Sequence, residues 1–117
     1  MKKLDIIIIG AGLYVCGKGT SGYGTILPAI FEWKRHNDDI GDIHCVSTSA
    51  KSSKELLQKA KGLEKKTGIK VDVKTYPEND SINENAYKQV LNNSKRLACA
   101  IIAVPDHLHY QIAKDCL

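Results

Sequence analysis

Four consecutive isoleucines, Ile6 to Ile9, run directly into Gly10. A strand with one wet face alternates apolar and polar residues, so an unbroken β-branched run predicts a strand buried on both faces, as in parallel sheets. Leu97 to Val104 is a second run of small and β-branched residues and predicts another central strand. Parallel neighbours cannot be joined by a hairpin and need crossovers, usually helical.

The residues between supply those crossovers. The fifteen residues from Gly10 to Gly24 hold six glycines, which predicts a long loop without helix. Apolar Ile26, Leu27, Ile30, Phe31 and Trp33 then recur at helical spacing from Thr25 to about His36, with Pro28 tolerable in the first turn. Asp38, Asp39 and Gly41 form a turn into a second strand, Asp42 to Ser47. Ser52 is the expected cap of a helix that buries Leu56, Leu57, Ala60 and Leu63 and stops at Gly68. Ile69 to Tyr76 alternates, which predicts a half-exposed edge strand, ended by Pro77. A helix from about Ile82 to Asn92 leads to the fourth strand, and Pro105 and Asp106 open the last helix.

This β-α-β-α-β-α-β-α order predicts an α/β fold, a doubly wound parallel sheet of the Rossmann type with strand order 3-2-1-4. Ligands are then expected at the carboxyl ends of the first and fourth strands. Residues 1–117 form one domain. Because the chain ends inside a helix at Leu117 with no fifth strand, it is expected to be the front part of a longer protein whose catalytic domain lies elsewhere. A free edge on the fourth strand would then favour homodimerisation.

A net charge of +4 raises the question of an acidic partner. The lysines of the Lys51 to Lys74 region are interleaved with Glu55, Glu64 and Asp72, as on solvated helix faces, so no nucleic-acid partner is expected. Cys16, Cys45, Cys99 and Cys116 are too scattered for a metal or disulfide framework and read as reduced, mostly core cysteines. The isoleucine run is too short for a membrane span or a signal core, which makes the cytoplasm the default location.

The candidate site begins at IIIGAGLYV. Gly10 and Gly12 follow the strand where a tight turn and close approach of a pyrophosphate both require glycine, so Gly10, Ala11, Gly12, Leu13 and Tyr14 are the candidate contacts. The third glycine of GxGxxG is replaced by Val15, leaving Gly22 or Gly24 to take its packing role. Gly12 to Thr20, GLYVCGKGT, overlaps this motif and imitates a P-loop nucleotide enzyme. Ser21 to Gly24 would interrupt the helix a P-loop needs, which ranks that alternative second. After the second strand comes VSTSAKSSK, without the acid that holds the ribose hydroxyls of NAD. Thr48, Ser49, Lys51 and Ser52 can instead bond a phosphate, which favours NADP over NAD by a small margin. Cys16 is a candidate reactive thiol only if a helix dipole lowers its pKa; a spacer role is favoured.

The segment AIIAVPDHLHYQIA, with the first strand and Tyr76 before an acidic helix, resembles the Gfo/Idh/MocA oxidoreductases, whose fourth strand ends in T-P-x-x-x-H. Val104 stands for the Thr, Pro105 matches, and His109 falls on the His. The resemblance implies that Ala103, Val104, Pro105 and Asp106 lie against the nicotinamide ribose and pyrophosphate, with His109 supporting the loop. It implies an NAD(P)-dependent dehydrogenase moving hydride at a sugar or cyclitol, that small substrate being bound only by the full-length protein. The family's E-K-P lysine has no counterpart here, so no residue is assigned to catalysis and the fragment alone is expected to be inactive. A non-catalytic nucleotide-sensing module is the other alternative. The His107 and His109 pair lacks further ligands nearby and reads as a helix start rather than a metal site.

Overall fold

The structure, a computed structural model, describes residues 3–37, 39–77, 85–93 and 98–117, with Asp106 described by its backbone alone. The expectations resting on Asp38, Ile82, Leu97 and the Asp106 side chain lie outside the described residues. The elements run β1 (Leu4–Ile9), α1 (Leu13–Cys16), α2 (Ile26–His36), β2 (Ile40–Val46), α3 (Ala50–Thr67), β3 (Val73–Tyr76), α4 (Ala86–Asn93), β4 (Ala98–Ile102) and α5 (Asp106–Cys116).

All strands pair in parallel in the order β3-β2-β1-β4. Ile6 and Ile8 of β1 lie beside Ile43 and Cys45 of β2, while Ile7 and Ile9 lie beside Ala100 and Ile102 of β4. Alternation along β1 then divides its isoleucines between two cores. Ile6 and Ile8 pack with Val15, Leu27, Phe31, Leu56 and Leu63 under α1, α2 and α3. On the opposite face Ile7 and Ile9 pack with Ala86, Tyr87, Val90 and Ile112 of α4 and α5. All four are at most 3% exposed, and each such burial contributes about 1.5–3 kcal/mol before chain entropy is counted. Asp5 is also buried; its Oδ1 accepts from Asp42 N at 2.8 Å and ties the amino end of β1 to β2.

Several sequence expectations need correction. The glycine-rich segment does contain a helix, the single turn α1, because Leu13 to Cys16 is glycine-free. It closes through Cys16 N to Gly12 O (3.1 Å) and Gly17 N to Leu13 O (2.9 Å) before left-handed Gly17 stops it. Ser49, not Ser52, caps α3: Ser49 is extended and its hydroxyl accepts from Ser52 N at 3.3 Å, which places Ser52 inside the first turn. Residues Ile69 to Asp72 fall outside β3, although Val71 is buried against the core. Trp33 turns outward at 39% exposure, leaving Leu27, Ile30 and Phe31 as the core face of α2. Of the four free cysteines only Cys16 and Cys45 are core residues; Cys99 is exposed and Cys116 partly so.

Candidate functional site

The carboxyl ends of β1, β2 and β4 open into one cleft of about 640 Å³, within the range of small-ligand sites. Its floor is Gly10, Ala11 and Gly12. One rim carries Ser47, Thr48, Ser52 and Lys18, and the other Ala103, Val104 and Pro105, backed by Leu108, Gln111 and Ile112 of α5. The cleft therefore spans the point where the strand order reverses.

The floor glycines differ in what they do. Gly10 has φ +124°, and a Cβ there would stand 2.1 Å from the carbonyl oxygen of Ala103, so the loops after β1 and β4 meet backbone to backbone. Ala103 N completes the seam by donating to Ile9 O at 2.8 Å. Gly12 is open where a side chain would stand: a Cβ added there meets no atom within 4 Å, and its backbone lines the cleft. That is the space in which a phosphate group can lie against main chain.

The far rim is fixed locally. His109 Nε2 lies 2.7 Å from Val104 O and donates to it, and Leu108 N donates to Pro105 O at 2.9 Å. His109 thus buttresses the loop from outside the cleft, while its neighbour His107 lines it. At the back of the cleft Tyr87 donates its hydroxyl to Asp115 Oδ2 at 2.6 Å, joining α4 to α5. That bond makes Tyr87 a weaker acid, pushed up to about 12, and holds the Asp115 carboxyl below its usual range.

The near rim is built from distant sequence. Residues 17–24 leave α1 as an arm whose neck is closed by two glycines: a Cβ on Gly17 would strike Gly22 O at 2.5 Å, and one on Gly24 would strike Leu13 O at 2.7 Å. Gly24 therefore packs against the end of α1. The arm lies on α3. Lys59 Nζ donates to the carbonyls of Thr20 and Gly22, and the Tyr23 ring sits against Gly62 with the Lys59 and Lys66 ammonium groups 5.5 and 5.3 Å from its centroid. So docked, the arm delivers Lys18 Nζ to Ser52 Oγ at 2.9 Å.

The candidate residues are accordingly divided. Gly10, Ala11, Gly12, Thr48, Ala103, Val104 and Pro105 line the cleft. Leu13 and Tyr14 point outward at 52% and 73% exposure, Lys51 is exposed, and none of the three lines the cleft. Ser49 is occupied as the cap of α3. Lys18, Tyr87, Lys88 and Gln111 join the lining without having been singled out as dinucleotide contacts. The P-loop motif does not take P-loop form: Lys18 sits in a turn, Thr20 Oγ1 donates to Gly17 O at 2.7 Å, and the next helix opens only at Ile26. Cys16 is buried, and burial followed by the Glu55 charge pushes its thiol up against the opposing pull of Lys59 and Lys18, the reverse of activation.

Compared with known proteins, the chain matches no family model, no curated protein and no solved structure.

Proposed function

We propose that this chain binds a nicotinamide dinucleotide across the carboxyl ends of its strands, as the cofactor-holding part of an oxidoreductase acting on a sugar or cyclitol. The observation that carries the reading is the continuous cleft from Thr48 and Ser52, over bare Gly12, to Val104 and Pro105. An extended ligand with a charged middle fits such a shape: adenosine toward the β2 end, pyrophosphate over Gly12, nicotinamide beside the β4 loop. The resemblance of Ala100 to Ala113 to the Gfo/Idh/MocA pattern supports the same orientation. His109 then holds the Val104 carbonyl and keeps the loop shaped for the nicotinamide ribose.

When bound, the nicotinamide supplies the hydride chemistry. The residues of this chain bind and orient, and no acid, base or nucleophile among them is assigned to the reaction. Fluorescence titration with NADH and NADPH tests the reading, with Gly12→Val as the blocking variant. Saturable binding that Gly12→Val abolishes while the circular dichroism stays unchanged is the expected result. Saturable binding of ATP with no response to either dinucleotide would overturn it in favour of the GLYVCGKGT reading.

A further inference from the structure

The arm of residues 17–24 is more than a long connection, because several contacts serve to hold it in one place. Its neck is packed backbone to backbone, its carbonyls are held by Lys59, and its Tyr23 lies against Gly62 of α3. What this arrangement brings to the cleft is the Lys18 ammonium.

At the β2 end most hydroxyls are already committed. Ser47 Oγ donates to Ser49 O at 2.8 Å and lies 2.9 Å from Ser53 Oγ, Ser53 Oγ donates to Tyr76 O at 2.8 Å, and Ser49 Oγ caps α3. Three groups that line the cleft keep a donor for a ligand: the Thr48 hydroxyl, Ser52 Oγ and Lys18 Nζ. Ser52 Oγ accepts from Lys18 Nζ and Ser49 Oγ and has its own proton to give, while Lys18 Nζ has two further protons beyond its bond to Ser52. Lys18 has no ion-pair partner among the described residues. Lys88 and His107 add basic groups elsewhere in the lining, and no described side chain in it is a carboxylate.

This is the place where a dinucleotide site tells a ribose 2′-hydroxyl from a 2′-phosphate. A hydroxyl is held by an acid, which the rim lacks, whereas a phosphate is held by charge-assisted donors, which it has. Resting on the dinucleotide reading above, we infer that the arm makes the cleft selective for NADP(H), with Lys18 binding the 2′-phosphate beside Ser52 and Thr48. Lys51, the basic residue next to that loop in sequence, takes no part.

Separate titrations of the full chain with NADPH and NADH test this, with folding of each variant checked by circular dichroism. NADPH should bind roughly tenfold tighter than NADH, and Lys18→Met should weaken NADPH by about that factor while leaving NADH within about twofold. Lys18→Arg should restore the preference, and Lys61→Met, which removes a charge from the exposed side of α3, should change neither affinity. Equal native affinities for the two ligands would overturn the assignment and leave the dinucleotide reading standing. So would equal losses for both in Lys18→Met, or a loss specific to Lys51→Ala. If neither ligand binds the native chain, the assignment and the reading it rests on both fall.

Discussion

The two rims of the cleft are held by different kinds of contact. On the β4 side His109 reaches Val104 within one loop and the following turn, and Leu108 N reaches Pro105 O across a single turn. On the β2 side the bonds from Lys18 to Ser52 and from Lys59 to Thr20 join residues 34 and 39 positions apart. Beyond the seam that joins Ala103 to Ile9 and Gly10, the first rim is shaped by contacts within its own segment. The second exists only after α3 is in place to receive the arm, so disturbing α3 reaches one rim and spares the other.

The largest expected effect comes from breaking the seam on which both rims depend. Gly10→Ala puts a Cβ against the Ala103 carbonyl in a left-handed backbone, and should cost about 3 kcal/mol or more in denaturant unfolding. Both rims should lose ligand affinity together. A midpoint unchanged from native would show that the two loops do not meet as described.

Next comes the link between α4 and α5. Tyr87→Phe should lower the urea midpoint, though by less than loss of the seam, because the Asp115 carboxylate it bonds is exposed and screened by solvent. Its pH signature is specific. The folded phenol is pushed up to about 12 from an ordinary 10.0, so its contribution is complete below pH 10.0 and is lost as pH rises through about 12. The carboxyl of Asp115 is held low, so its share is complete above its ordinary value of 3.8 and is lost as pH falls through the folded value. The alkaline decline should be shallower in Tyr87→Phe, with the buried Cys16 and Cys45 thiols, also pushed up, supplying the rest, as urea midpoints measured across pH 9–12 would reveal.

Smaller effects separate the rims. His109→Ala removes one solvent-exposed bond, should cost about 0.5–1 kcal/mol, and should weaken NADH and NADPH alike through the β4 loop. Lys59→Met should change stability by less than about 0.5 kcal/mol, yet weaken NADPH several-fold with NADH spared, because the arm loses its hold on α3. The double variant should show the two binding losses adding, since the sites share no partner. Strong coupling between them would erase the distinction between a locally and a remotely built rim.

How much the sequence reveals follows the same division. The strand order 3-2-1-4, both faces of β1 and the placing of the β4 loop are legible because each is written in a local run: isoleucines into Gly10, small residues into Pro105, helical spacing between them. His109 is singled out through the resemblance of its segment to the T-P-x-x-x-H pattern, and its bond to Val104 is equally local. Lys18 is not placed at the β2 rim by the sequence, because nothing near it says that residues 17–24 fold back onto α3. Lys51 is chosen instead as the cation nearest to Thr48 along the chain, although it starts α3 on the exposed side. A faint signal does exist: Gly62 stands inside an otherwise good helix, where glycine costs about 1 kcal/mol against alanine, and the Tyr23 ring beside it supplies the reason.

The seating of the arm also bears on how fast the cleft can fill. A loop that must close over its ligand adds a slow rearrangement after encounter, and the observed rate then levels off as ligand is raised. Here Lys59 and Tyr23 hold the arm against α3 through contacts within the chain itself, and Lys18 rests on Ser52. NADPH should therefore meet a finished surface, and stopped-flow traces should give a single phase whose rate climbs in proportion to concentration.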